Sequence, residues 1–375
     1  MPATAPRQVQ ILGIRGVPAA HGGFETFAEY LVLWLAERGW EVTVYCQGSE
    51  TGAQLEDDWC GVRRVHVPVR LSGAVGTIEF DAKATAAALK RPGVLLTLGY
   101  NTGFLSGWVA LRRRVNAINM DGLEWKRSKY SAAARAYLYL NERLAAWAGT
   151  RLVADHPEIA DHLATRVKRD RITMIPYGAP PITEADNNAL AELGLVGKRF
   201  MTIIARPEPE NSIAEIVTAF SRRPRDATLL VLGNYARDHE YQARVMDAAG
   251  PEVRFAGAIY DKRMLSAIRL NCTAYLHGHQ VGGTNPSLVE ALGAGNAVIA
   301  HDNRFNRWVA SDAGLYFDSI DACDAAITAV LADDAQCAAM RAAACARFTR
   351  HFTWPNILAQ YEAMLAELAE DLHRG

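Results

Sequence analysis

Gly278-His-Gln-Val-Gly-Gly-Thr-Asn-Pro-Ser-Leu-Val-Glu290-Ala-Leu-Gly-Ala-Gly295 follows the apolar run Cys272-Thr-Ala-Tyr-Leu276, so the order is buried strand, glycine-rich turn, short helix. That order makes an anion site. Glycines admit a ligand close to the backbone, and the free amides near Thr284 to Ser287 lie at the positive end of a helix dipole. Pro286 suits the first helical turn, where a missing amide costs nothing. Gly283, Thr284 and Asn285 are therefore candidate ligand-binding positions, and Glu290, about one turn inside the helix, is placed to accept hydrogen bonds from a ribose diol. The plain alternative is a tight turn that caps a core helix.

Working outward, short apolar strands alternate with helical stretches. Val9–Ile14, Glu41–Cys46, Arg64–Val69, Val94–Leu98, Val115–Asn119, Arg151–Ala154 and Ile172–Ile175 read as strands, with helices over Glu25–Arg38 and Ala132–Ala148. Pro176-Tyr-Gly-Ala-Pro-Pro181 and the polar run to Asn188 read as a linker. Alternation restarts at Phe200–Ile204, Thr228–Leu232 and Val253–Phe255, and the tail from about Ile320 is helical, interrupted at Phe352-Thr-Trp-Pro355. Such alternation predicts an α/β fold with parallel sheets covered on both faces, in two halves.

At 375 residues the chain is long enough for two ordinary domains. Forty Lys and Arg against 41 Asp and Glu leave a net charge of -1, which gives no reason to expect a nucleic-acid partner. Basic residues concentrate locally, at Arg112, Arg113 and Arg114 and again at Lys126, Arg127, Lys129 and Arg135, as either a solvated face or an anionic-lipid contact. The six cysteines form no CxxC pair and read as reduced thiols. No apolar stretch is long enough to span a membrane, and the Met-Pro-Ala-Thr-Ala-Pro start lacks a signal-peptide core, so a cytoplasmic, soluble or peripheral protein is expected.

Pro286-Ser-Leu-Val-Glu-Ala-Leu-Gly-Ala-Gly-Asn-Ala-Val-Ile299 resembles the donor-site segment of retaining glycosyltransferases with the GT-B fold. Arg15-Gly-Val-Pro-Ala-Ala-His-Gly-Gly-Phe-Glu-Thr26 and Asn119-Met-Asp-Gly-Leu-Glu-Trp-Lys-Arg127 are similar to a family of bacterial rhamnosyltransferases. The resemblance implies two Rossmann-like domains facing across a cleft. The first would be an acceptor-binding domain over residues 1–180 plus a last helix at about 356–375 that crosses back to it. The second would be a nucleotide-sugar-binding domain over residues 181–355.

In open parallel sheets ligands bind beyond the carboxyl ends of the strands, so the loops there supply the remaining candidates. Gly22 and Gly23 offer amides to a phosphate or sugar at a helix entry, and the resemblance implies that they lie over the donor; Asp121 at a strand end suits sugar hydroxyls or a plain turn. Trp125 is a sugar platform or core packing, and Asp155 is a positioner or a helix cap before Pro157. Tyr177 is a hydroxyl donor or interface packing beside the expected cleft. Arg206 can clamp a diphosphate and stabilise leaving-group charge. Related transferases usually carry a lysine five residues later, where this chain has Asn211, grouped here with the donor-binding residues. They also carry an acidic residue eight positions before Glu290, where this chain has Gly282, a departure that suits a 6-deoxy sugar. Gly257-Ala-Ile-Tyr260 resembles the segment whose backbone meets the nucleobase. No Asp-x-Asp metal motif accompanies a strand end, and Asp57-Asp58 reads as a polar loop without partners, so neither metal nor cofactor is expected.

With Asp121, Asp155, Tyr177 and Arg206 as catalytic candidates and no metal motif, the resemblance implies a retaining, metal-independent transfer of L-rhamnose from dTDP-rhamnose. The expected acceptor is a polyprenyl-diphosphate-linked saccharide at the cytoplasmic face of the inner membrane. The alternatives are a UDP- or GDP-hexose donor, a sugar-nucleotide epimerase, a noncatalytic sugar-nucleotide binder and, from the nucleotide-binding fold alone, a dehydrogenase. The loop after the first strand is not GxGxxG, which counts against the dehydrogenase.

Overall fold

Apolar strands that carry no polar alternation must be covered on both faces, and the chain meets this requirement twice. The computed structural model describes residues 7–20, 22–48, 52–127 and 130–374. The residues up to Pro176 together with those from Trp354 onward form one unit, and Tyr177–Thr353 form the other.

The first unit runs β1 (Gln8–Leu12), α1 (Gly23–Glu37), β2 (Glu41–Gly48), β3 (Leu55–Trp59), β4 (Val62–Pro68), α2 (Gly73–Ala88), β5 (Val94–Leu98), α3 (Phe104–Leu111), β6 (Asn116–Asn119), α4 (Ala132–Ala148), β7 (Arg151–Ala154), α5 (Pro157–Ala164) and β8 (Ile172–Met174). Its sheet order is β3-β4-β2-β1-β5-β6-β7-β8. Every pairing there is parallel except the β3–β4 hairpin. Asp57-Asp58 is therefore not a partnerless loop. It lies in β3, and the Asp57 carboxylate takes two 2.7 Å bonds from Arg64 and a 3.2 Å contact from His66. The Arg64 hydrogen bonds hold Asp57 below the usual carboxylate range. Cys60 and Gly61, both at positive φ, form the two-residue turn that matches the twist of a hairpin.

The second unit runs α6 (Ala189–Glu192), β9 (Phe200–Ile204), α7 (Ile213–Ser221), β10 (Thr228–Leu232), α8 (Glu240–Asp247), β11 (Val253–Phe255), α9 (Lys262–Asn271), β12 (Ala274–His277), α10 (Pro286–Gly293), β13 (Ala297–His301), α11 (Arg304–Ala310), β14 (Gly314–Phe317), α12 (Ile320–Ala332) and α13 (Asp334–His351). The strands pair in the order β11-β10-β9-β12-β13-β14, the doubly wound Rossmann arrangement. One core packs Ile203, Val231, Leu276 and Ile299 with α7 and α12, and another packs Tyr275 and Val298 with α10 and α13. The chain is thus two Rossmann-like α/β domains.

The last helix, α14 (Trp354–Arg374), belongs to the first unit. Its aromatic side chains pack on α1: Tyr361 lies 4.6 Å from Phe27 between ring centroids, and Trp354 stacks on Tyr30 at 4.8 Å. The buried Tyr361 hydroxyl also accepts a 2.7 Å hydrogen bond from Asn119 at the end of β6. Removing that acceptor leaves a buried amide without it, which costs about 1–3 kcal/mol. Tyr361→Phe is expected to lower unfolding free energy by that amount in urea titration, at unchanged secondary structure by circular dichroism.

Candidate functional site

In the second unit the strand order reverses between β9 and β12, where a doubly wound sheet leaves a crevice beyond its strand ends. The loop after β9 carries Arg206 and Asn211, and the loop after β12 carries Gly278 to Asn285. These two loops are fastened together. The Gln280 amide donates to the Glu210 carbonyl at 2.9 Å, and the Gln280 side chain donates to Ser212 Oγ at 2.9 Å. Residue 278 must be glycine for closeness rather than for backbone freedom, because a Cβ there would lie 2.0 Å from the Asn211 carbonyl oxygen. Asn303 and Asn306 on the other side donate to the His279 carbonyl at 3.0 and 2.8 Å. The Asn303-x-x-Asn306 spacing at a helix start was the available signal for this support.

Asn211 is buried, and its amide nitrogen donates to the Arg206 carbonyl at 2.8 Å. Its amide thus positions the backbone that presents Arg206, whose side chain is exposed. Asn285 caps α10 by accepting from the Ser287 amide at 3.0 Å, and Pro286 occupies the first helical position. The expectation of free amides as far as Ser287 is corrected here: the side-chain cap takes the Ser287 amide, and Pro286 has none. Ser287 Oγ in turn bonds the Tyr275 hydroxyl at 2.5 Å and the Ile204 carbonyl at 3.1 Å, which ties α10 to the end of β9. Thr284 is buried, whereas Gly283 stays partly open. Glu290 is one-third exposed and paired with the buried Arg269 of α9, a partner the sequence did not suggest. The pair fixes one carboxylate oxygen and orients the other.

In the first unit Gly22 caps α1 and Gly23 begins it. Carboxylates crowd that entry. The Arg15 amide lies 3.4 Å from Glu25 Oε1 and the Ala19 amide donates to Glu29 at 2.5 Å, so the loop after β1 folds onto acidic side chains of α1. A carboxylate beside the Gly22 and Gly23 amides disfavours a phosphate and leaves hydroxyls as the better match. Asp121 sits at φ 50 in a turn held by the Asn119 side chain at 2.9 Å and by Tyr100, whose hydroxyl bridges Gly122 and Glu124. Trp125 is packing: its indole donates to the buried Glu142 at 2.5 Å and its ring meets Tyr139 edge-on. Burial pushes the Glu142 carboxyl up, and hydrogen bonds from His162, Trp125 and Arg166 outweigh that and hold it below its ordinary value. The α5 cap is His156, which accepts from the Glu158 amide at 3.1 Å, so the capping alternative for Asp155 does not hold. Asp155 instead lies near the Tyr361 phenol. Tyr177 is half-buried at the first position of the second unit.

A cavity of about 250 Å³ opens beyond the ends of β1 and β5, the switch point of the first sheet. The structure also redistributes the basic residues. Arg114 turns inward to the Leu89 and Gly93 carbonyls, and Arg127 pairs with Glu124 at 2.6 Å. Arg112, Arg113, Lys126, Arg135 and Arg143 stay exposed, while Lys129 lies outside the described residues. Among the described residues no three His, Cys, Asp or Glu side chains converge as a metal site, and no helix is long and apolar enough to cross a membrane.

Residues 187–347 match the family described as glycosyl transferases group 1, and residues 6–180 match a domain of unknown function, DUF1972. A phosphatidyl-myo-inositol mannosyltransferase of Mycolicibacterium smegmatis is 32% identical over 196 residues, which cover 50% of this chain and 49% of that one. The match thus spans about half the length of that relative. Among solved structures, sucrose-phosphate synthase from Thermosynechococcus elongatus superposes with a TM-score of 0.82 at 19% identity, over 96% of this chain and 99% of that chain. Anabaena HepE in complex with UDP gives 0.73 at 14% identity, over 96% and 100%. A trehalose 6-phosphate synthase from Burkholderia multivorans gives 0.75 at 12% identity, over 98% and 100%. These likenesses establish the GT-B fold.

The contact at residue 278 gives a direct test. Gly278→Ala must displace the Asn211 backbone, a strain of about 1–3 kcal/mol, so a lower melting temperature is expected by calorimetry.

Proposed function

We propose that this chain is a GT-B glycosyltransferase that moves a sugar from a nucleotide donor held by the second unit to an acceptor held by the first. The observation that carries the reading is the placement of Arg206 on the loop after β9 and of the α10 N-terminus on the loop after β12, the two sides of the switch point, with Glu290 inside α10. In the proposed complex Glu290, steadied by Arg269, accepts from the ribose hydroxyls. The diphosphate meets the backbone at Gly283 and Thr284 and the guanidinium of Arg206. As the glycosidic bond to the donor breaks, negative charge grows on the leaving phosphate, and Arg206 stabilises it more in the transition state than in the ground state.

The finer reading is retention at the anomeric carbon without metal or cofactor, the departing phosphate taking the acceptor proton on the same face. Asp121, Asp155 and Tyr177 then orient hydroxyls, and Gly22 and Gly23 offer amides to them. For the donor, Gly282 in place of the usual carboxylate supports L-rhamnose from dTDP-rhamnose. A UDP- or GDP-hexose is the second reading, favoured by the mannosyltransferase relative and by the HepE structure with UDP-glucose.

A lipid-linked acceptor, a polyprenyl-diphosphate saccharide, would bring the protein to the cytoplasmic face of the inner membrane. That docking is supported by α4, where Leu140, Arg143 and Trp147 recur on one exposed stripe beside Tyr137. The neighbouring α3 ends in the exposed Leu111, Arg112 and Arg113. Exposed apolar and basic side chains together fit an anionic bilayer surface.

Product mass spectrometry with each donor and a polyprenyl-diphosphate N-acetylglucosamine acceptor tests the reaction: deoxyhexose addition is expected from dTDP-rhamnose, and hexose addition would move the assignment to the second reading. Glu290→Ala is expected to weaken nucleotide binding by roughly 10- to 100-fold in calorimetry, the loss of a charged hydrogen bond. Arg206→Ala is expected to lower kcat about 10²- to 10³-fold with a smaller change in nucleotide affinity. Leu140→Gln with Trp147→Ala should reduce sedimentation with anionic vesicles and leave turnover on a water-soluble acceptor unchanged.

A further inference from the structure

The cavity beyond β1 and β5 is built differently from the second unit's crevice. Gly13 forms its floor: φ is 85, and a Cβ there would lie 2.2 Å from the Leu98 carbonyl oxygen, so the two strand ends press together. Phe80 and Val109 give it apolar wall, while Thr85, Ser106 and Asn116 are buried polar side chains that line it. Asp81, on α2, accepts a 2.8 Å hydrogen bond from the Thr102 hydroxyl. The other charged groups lining the cavity are Arg15, from the loop after β1, and Glu25, from α1. On its own helix Lys83 pairs with Glu79, and on α4 the Tyr137 phenol is pushed up by burial and, to a lesser extent, by the Asp81 charge. Among the described residues no ion pair is made to Asp81, and burial pushes its carboxyl up to about 6, the Thr102 bond offsetting part of that.

An unpaired carboxylate in a walled cavity is a cost to folding unless a ligand uses it. A phosphate is disfavoured by Asp81 and Glu25, and a cation would meet Arg15. A cavity this small, with one apolar wall and several hydroxyl and amide groups, suits a single sugar ring better than an extended ligand. We propose that this cavity binds an uncharged, hydroxyl-rich ring, the acceptor sugar, with the Asp81 carboxylate accepting from its hydroxyls and Thr102 holding that carboxylate in place. The word acceptor rests on the transferase reading; ring binding by the first unit does not.

The sign of the pH dependence follows from the ionised form being the acceptor. Binding falls as pH drops through about 6 and protonates Asp81. Folding behaves oppositely. A carboxyl whose folded pKa lies above its unfolded value takes up protons on folding between about pH 4 and pH 6. Its contribution therefore favours folding below that window and is lost as pH rises through about 6.

The test uses saturation-transfer NMR on the full chain with three probes: methyl α-L-rhamnoside, methyl α-D-mannoside and methyl N-acetyl-β-D-glucosaminide. Calorimetry with UDP and dTDP runs beside it. At least one glycoside is expected to bind at pH 7.5, with affinity falling about ten-fold by pH 5. Asp81→Asn is expected to weaken that binding several-fold, abolish its pH dependence, leave nucleotide affinity unchanged and raise the melting temperature at pH 7.5. Thr102→Val is expected to move the pH midpoint upward. Binding of none of the three probes, or an Asp81→Asn variant with the parent's affinity and pH profile, overturns the proposal. Glycoside binding without nucleotide binding would sustain the cavity and defeat the transferase reading; nucleotide binding and product formation without glycoside binding would do the reverse.

Discussion

The contact between residue 278 and the Asn211 carbonyl governs the strand-end edge of the second unit where β9 and β12 meet. Two neighbouring parallel strands, β9 and β12, end side by side, and their loops leave no room for a single methyl group between them. From that contact the rest follows. Asn211 is held where its amide reaches the Arg206 carbonyl, Gln280 joins the loops a second time, and α10 starts where Ser287 can reach the end of β9. An exposed arginine on a loop of this kind acquires a fixed backbone while its side chain has no ion-pair partner among the described residues. Such rigidity is what an electrostatic contact to a changing charge requires.

The two units treat charge in opposite ways. Around β9 and β12 the polar groups are an arginine, a helix N-terminus and a glutamate already balanced by the buried Arg269. Around β1 and β5 they are two carboxylates, hydroxyls and amides, with Arg15 at the same cavity. The first arrangement favours a diphosphate with a ribose, and the second favours neutral hydroxyls. This division of labour in the proposed reaction is a consequence of residue chemistry in each sheet separately.

Much of this was legible from the chain. Glycine turns into helices after apolar strands marked the loops at the strand ends, and β1, β2, β5, β6, β7 and β9 to β12 were evident as apolar runs. Helices α2 and α3 were not, since Gly73-Ala-Val-Gly76 has a weak periodic pattern and Phe104–Leu111 is an apolar run that fits strand or helix equally. The charged strand β3 looked like a loop because Asp57 is satisfied across the hairpin by Arg64 and His66, and Glu56 by Arg91, all of which lie several positions or more away in sequence. Asp81 went unnoticed for the same reason: it stands on α2, far in sequence from the β1 loop it faces.

The sequence by itself determined the α/β class, the two-part organisation and the positions of Arg206, Gly283 and Glu290 relative to strand ends, because those depend on local periodicity and on turn and capping chemistry. Only the tertiary structure decided which polar groups were already engaged. It gave Glu290 to Arg269, Asn211 to the Arg206 carbonyl, Trp125 to Glu142 and the α5 cap to His156 rather than Asp155. It also left the Asp81 carboxylate in a cavity with a hydroxyl as its hydrogen-bond partner. Hydrogen bonds and desolvation act over a few ångströms in space, and strands adjacent in a parallel sheet are joined by crossovers of a dozen or more residues. The partners of Glu290, Trp125 and Asp81 therefore lie outside any local window of the sequence, about 17 to 21 residues away.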